Sequence, residues 1–92
     1  MPLVMVVDDD QDLAEMLSIV LTSAGMEVDL VNRGDQVMDL FNSHTPDLVL
    51  LDVMLPGIDG IEVCKIIRES SMVPIVMLTA KGDTHDVVLG LE

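Results

Sequence analysis

Four polar residues close the short apolar runs of this chain and could carry chemistry: Asp8 and Asp9 after Leu3–Val7, Asp52 after Leu48–Leu51, and Thr79 after Pro74–Leu78. In an open parallel sheet, ligands bind outside the carboxyl ends of the strands, where the strand order reverses. With the order 2-1-3-4, the first and third strands are neighbours at that point. The Asp8/Asp9 pair then converges with Asp52, and Thr79 lies one strand over. Two unit charges ~4 Å apart at an effective dielectric of ~20 repel by roughly 4 kcal/mol. Either a proton is shared or a cation sits among them. A few oxygen-only ligands suit Mg2+, which keeps waters and completes its shell with a substrate phosphate. A backbone carbonyl just past Asp52 can add a ligand. A single acid at a strand end is usually only a helix N-cap, and Asp10 is read as one. A doublet, a third acid and a threonine along one sheet edge form a stronger pattern.

The elements that must position these groups alternate along the chain. After Leu3–Val7, the residues Leu13, Met16, Leu17, Val20, Leu21 and Ala24 recur at helical spacing, with Gly25 as the stop. Val28–Val31 reads as a second strand. Asp35 is expected to cap a helix carrying Val37, Met38 and Phe41, which ends before Pro46. The third run ends at Asp52, and a turn with Pro56, Gly57 and Gly60 leads to a helix from about Asp59 to Glu69. The fourth run is Pro74–Leu78, and a last helix begins near Asp83 with Val87, Val88 and Leu91 on one side. Strands that read as continuous aliphatic runs are buried on both faces. Right-handed crossovers between them give a flavodoxin-like, doubly wound parallel α/β sheet.

Composition narrows the function. Seventeen acids against four bases give a net charge of −13 over 92 residues, in a chain that is 50% hydrophobic. With only Arg33, Lys65, Arg68 and Lys81 as cations, neither direct nucleic-acid contact nor an anionic membrane surface is expected. Phe41 is the only aromatic residue, so any pocket works without stacking. Cys64 is the only cysteine, which excludes an internal disulfide and a cysteine-based zinc site. The opening MPLVMVVDDD is no signal peptide, and no apolar run approaches the ~20 residues that span a bilayer. A soluble, cytoplasmic setting is the expectation. His44 and His85 read as surface polar residues, Cys64 as packed, and the eight methionines as core filler.

The segments VMVVDDD, LVLLDVMLPGIDG and VPIVMLTAKGD resemble the receiver domain of bacterial two-component response regulators, in order and spacing along all 92 residues. The wording of the last segment is similar to PhoB/OmpR-type regulators. The resemblance implies that Asp52 is the phosphoacceptor, and that Asp8 and Asp9 hold Mg2+ with Asp9 as the direct ligand. It implies that Met54, two residues past the acceptor, supplies a backbone carbonyl to the metal. Thr79 would contact the phosphoryl group and move on activation, with the Ala80 backbone beside it. The implied partner is a sensor histidine kinase, and the implied output is transcription through a DNA-binding effector domain.

The family fold has five strand–helix units, and residues 1–92 carry four, so the chain reads as a C-terminally incomplete receiver without its effector domain. The family's lysine, normally followed by proline, has no counterpart: neither Lys65 nor Lys81 precedes a proline. A strand four left at the sheet edge, Pro74–Leu78, has no charge and invites self-association, there or through the last helix. Two other functions compete. A Mg2+-dependent phosphohydrolase with an aspartate nucleophile usually places a general acid two residues further on, where this chain has Met54. An unphosphorylated interaction module would not need the acids of a metal site. The domain is therefore read as a phosphoacceptor and not as a turnover enzyme.

Overall fold

The computed structural model describes residues 1–55 and 57–78. Its elements run β1 (Leu3–Val7), α1 (Gln11–Ser23), β2 (Glu27–Val31), a 3-10 turn (Gly34–Gln36), α2 (Val37–His44), β3 (Leu48–Asp52), α3 (Gly60–Arg68) and β4 (Ile75–Leu78). All strand pairs are parallel, as the aliphatic runs predict, and the order is the expected β2-β1-β3-β4. Val7 is opposite Leu51 and Asp52 opposite Leu78, which brings the carboxyl ends of β1, β3 and β4 to one edge.

Strand side chains alternate between two faces. Met5, Val7, Val49, Leu51, Ile75 and Met77 pack with Val37 and Phe41 of α2 and Val63 and Ile67 of α3. Val4 and Val6 pack with Ala14 of α1, flanked by Leu17, Leu21, Leu48 and Leu50. Leu51, Ile67, Ile75 and Met77 are fully buried, and removing this aliphatic core from water stabilises the fold.

The helix ends are set locally. Asp10 caps α1 through the Leu13 amide at 3.2 Å, and Gly25 at φ +90° takes the left-handed position after Ala24. Asp59 caps α3 through the Glu62 amide at 2.9 Å.

Several expectations are corrected. Asp35 does not cap a helix. Its carboxylate takes two bonds from Arg33, and α2 starts after Gln36 with no side-chain cap. The sheet-facing stripe of α1 is Ala14, Leu17 and Leu21, whereas Met16 and Val20 are 53% and 58% exposed. Met5 and Met77 are core, but Met1, Met16, Met54 and Met72 are exposed, so the methionines are not uniformly filler. Pro74 precedes β4 and contributes only its carbonyl, which accepts from the Val49 amide at 3.0 Å. His44 is a surface polar residue as expected, and its Nδ1 lies 2.7 Å from Asp29 Oδ2, joining the end of α2 to β2. Cys64 packs against the core as expected. Pro56, Thr79, Ala80, Lys81, His85 and the last helix from Asp83 lie outside the described residues.

Candidate functional site

Asp8 extends β1 by one residue, since its N–H donates to the Val31 carbonyl at 2.9 Å. Its own Oδ1 accepts from the Asp10 amide at 2.9 Å. Asp52 is the last residue of β3, and its Oδ1 accepts from the Met54 amide at 3.3 Å. Both carboxylates are nearly buried, at 4% and 6% exposure, while Asp9 between Asp8 and the Asp10 cap is open to solvent. One carboxylate oxygen from each of Asp8, Asp9 and Asp52 falls within 4.8 Å of the others. The convergence predicted from the strand ends is therefore present. Asp10, drawn onto Leu13, is excluded from it.

The three acids line a cleft of about 270 Å³ with Asp10, Leu13, Met54 and Leu78, and no lysine or arginine lines it among the described residues. Burial pushes the Asp52 carboxyl above its ordinary range. The Met54 amide opposes that shift, and the Asp8 and Asp9 carboxylates add to it. At the 4.8 Å limit of their separation, two such charges repel by roughly 3 kcal/mol at an effective dielectric of ~20. Hard oxygen donors, excess negative charge and one solvent-open side fit a hydrated divalent cation such as Mg2+. Asp8, Asp9 and Asp52 are the residues that would hold it.

The segment after β3 is held close to this cleft. The Gly60 amide donates to the Val53 carbonyl at 2.8 Å, tying the start of α3 to the residue after β3. A Cβ on Gly60 would collide with the Asp52 carbonyl oxygen, so only glycine permits α3 to start there. On the far side, a Cβ on the buried Gly34 would collide with the Ile58 carbonyl oxygen. Sequence reading places Gly57 and Gly60 in this turn. It passes over Gly34, whose neighbour across the fold leaves no local signal.

A larger cleft, about 550 Å³, lies between α1, β2 and α2 and shares only Asp8 with the acid cluster.

The chain matches the family Response regulator receiver domain over residues 4–92. It is 57% identical over 89 residues to the DNA-binding response regulator MtrA of Mycolicibacterium smegmatis, covering 97% of this chain and 39% of that protein. It is 45% identical over 92 residues to the transcriptional regulatory protein AfsQ1 of Streptomyces coelicolor, covering 100% of this chain and 41% of that protein. The chain thus spans about two fifths of the length of these relatives. Among solved structures, the BeF3-activated N-terminal receiver domain of Klebsiella pneumoniae RstA superposes with a TM-score of 0.87 at 35% identity, over 97% of this chain and 76% of that one. TrrA of Thermotoga maritima, in complex with Mg2+-BeF, superposes with a TM-score of 0.82 at 35% identity, over 94% of this chain and 79% of that one. These matches cover the sheet, its strand order and the acid cluster together; the chain belongs to the response regulator receiver domains, which signal and do not turn over substrate.

Proposed function

We propose that Asp52 accepts a phosphoryl group from a phosphohistidine, with Mg2+ held by Asp9, by Asp52, by Asp8 directly or through a water, and by the Met54 backbone carbonyl. A response regulator implies a cognate histidine kinase, and that kinase is the donor in this reading. The observation that carries it is the meeting of Asp8, Asp9 and a nearly buried Asp52 within 4.8 Å at the carboxyl edge of the sheet.

An Asp52 carboxylate oxygen attacks phosphorus in line, the N–P bond breaks with its electron pair leaving on the imidazole, and an acyl phosphate forms on Asp52. A divalent cation held by Asp8, Asp9 and Asp52 would supply charge neutralisation for this transfer. Asp52 attacks as its carboxylate, and the burial that raises its carboxyl pKa, with Asp8 and Asp9 beside it, makes a cation partner favourable. The Met54 amide holds one Asp52 oxygen and orients the other.

Phosphorylation adds about −1.5 to −2 of charge at a crowded acidic edge. Thr79 would donate a hydrogen bond to it, with the Ala80 backbone beside it, and the loop after β4 would change its arrangement. The readout proposed is transcription, through a DNA-binding effector domain such as the MtrA name implies for that protein. A cytoplasmic setting is part of this reading; no helix among the described residues is long and apolar enough to cross a membrane.

The test is intact-mass measurement after incubation with acetyl phosphate, with and without Mg2+. A stable Mg2+-dependent gain of one phosphoryl group supports the acceptor. Release of phosphate without a stable adduct would support a hydrolase, for which Met54 stands where a general acid would be needed. No reaction under either condition would leave an interaction module as the better account.

A further inference from the structure

We infer that Gly34, with the Arg33–Asp35 ion pair beside it, is a positioning element for the described residues of the loop after β3, Val53–Leu55 and Gly57–Asp59. The inference rests on the proposed Mg2+ site at Asp8, Asp9 and Asp52.

The loop is gripped at two places. Its base is closed by the Gly60 amide on the Val53 carbonyl at 2.8 Å, with Gly60 seated against the Asp52 carbonyl. Its far side leans on the segment between β2 and α2. Gly34 is buried there, and a Cβ on it would lie 2.9 Å from the Ile58 carbonyl carbon and would strike the oxygen. One residue along the loop, Gly57 adopts φ +89° and faces the ion pair. A Cβ on it would sit 3.1 Å from Asp35 Cγ and 3.3 Å from Arg33 Nη2. The pair is bidentate, Nε to Oδ1 at 3.0 Å and Nη2 to Oδ2 at 2.8 Å, so it presents a planar, fixed surface.

Between these two grips lies Met54, whose amide holds Asp52 Oδ1 at 3.3 Å. That bond is already at the long end of the usual range, so an outward shift of the loop by a few tenths of an ångström opens it. The same shift carries away the Met54 carbonyl proposed as a metal ligand. Arg33 and Asp35 are themselves 46% and 44% exposed, and exposed pairs contribute little to global stability. Their effect is on where the loop rests, and through it on Asp52 orientation. Groups one shell beyond a metal's ligands commonly change its affinity in this way.

The experiment uses the 92-residue chain in three forms: unmodified, Gly34→Ala, and the double variant Arg33→Ala/Asp35→Ala. Mg2+ affinity is measured by NMR titration, and hydrogen exchange of the Met54 amide is followed in metal-free protein. Gly34→Ala is expected to weaken Mg2+ binding about tenfold and to accelerate Met54 exchange while global unfolding stays cooperative. The double variant is expected to do the same more weakly, and the reversed pair Arg33→Asp/Asp35→Arg to recover part of the loss. If Gly34→Ala fails to fold, the double variant and its reversal decide. Mg2+ affinity and Met54 exchange unchanged in the folded variants would overturn the inference. An unmodified chain that binds no Mg2+ would overturn the metal reading instead, and Met54 exchange would still decide whether the brace exists.

Discussion

Asp10 accepts a hydrogen bond from the Leu13 amide at 3.2 Å, and this separates it chemically from Asp8 and Asp9 beside it. Three consecutive acids thus have three environments: Asp8 buried, Asp9 open on the cleft, Asp10 at a helix end. Asp9→Ala should weaken Mg2+ binding severely. Asp10→Ala should leave the metal in place and lower stability by about 1 kcal/mol, the usual loss for a cap. Calorimetric titration alongside urea unfolding checks both, and equal metal loss in the two variants would contradict the assignment.

The raised Asp52 carboxyl has a consequence for pH. A carboxyl whose folded pKa lies above its unfolded value of 3.8 stabilises the fold below that value. This contribution is lost as pH rises through the folded pKa. In metal-free protein at neutral pH, Asp52 is therefore a destabilising charge, by its burial first and by Asp8 and Asp9 in addition. Asp52→Asn should raise the melting temperature in EDTA, with a gain that grows from acid to neutral pH and shrinks when Mg2+ is added to both proteins. A gain independent of pH and of Mg2+ would show that the acids do not repel as described.

Glycines separate backbone strain from site geometry. At Gly25, φ is +90° and a Cβ would meet nothing within 4 Å, so Gly25→Ala should cost only left-handed strain, about 1–2 kcal/mol. At Gly60, a Cβ would strike the Asp52 carbonyl, so Gly60→Ala should displace the end of β3 or the start of α3. Unfolding and Mg2+ titration of the pair should show affinity unchanged for Gly25→Ala and reduced for Gly60→Ala.

Much of this was legible in the sequence, for physical reasons. A run such as Leu48-Val49-Leu50-Leu51 has no polar face to give to water, so a doubly covered strand follows, and Asp52 must fall at its end. The rotation of α1 was not legible. With apolar residues at 13, 14, 16, 17, 19, 20 and 21, two overlapping stripes fit the helical period, and only packing selects Ala14, Leu17 and Leu21. Asp35 has the sequence context of a cap, but Arg33 two residues away offers a charged, bidentate partner, and the charge-assisted bonds win. The contact of Gly34 with Ile58 joins segments that no local pattern relates.

Among the described residues β4 is a sheet edge, and Ile75–Leu78 carries no charge. Uncharged edges pair readily, and the net charge of −13 opposes this only over a screening length of ~8 Å at physiological salt. Self-association through β4, or through the helix expected from Asp83, is the proposed outcome. Sedimentation of the chain at low concentration should show a dimer or larger species, and Val76→Lys should reduce it. A compact monomer that unfolds in one cooperative step would refute the proposal.

The identity of the phosphoacceptor is the centre of the account, and peptide mapping after borohydride reduction of the acetyl phosphate-treated protein tests it most directly. Reduction converts an aspartyl phosphate to homoserine and so marks the acceptor. The prediction is a Mg2+-dependent homoserine at position 52 alone, absent from Asp52→Asn. The mark at Asp59 or Asp83, or its persistence in Asp52→Asn, would contradict it.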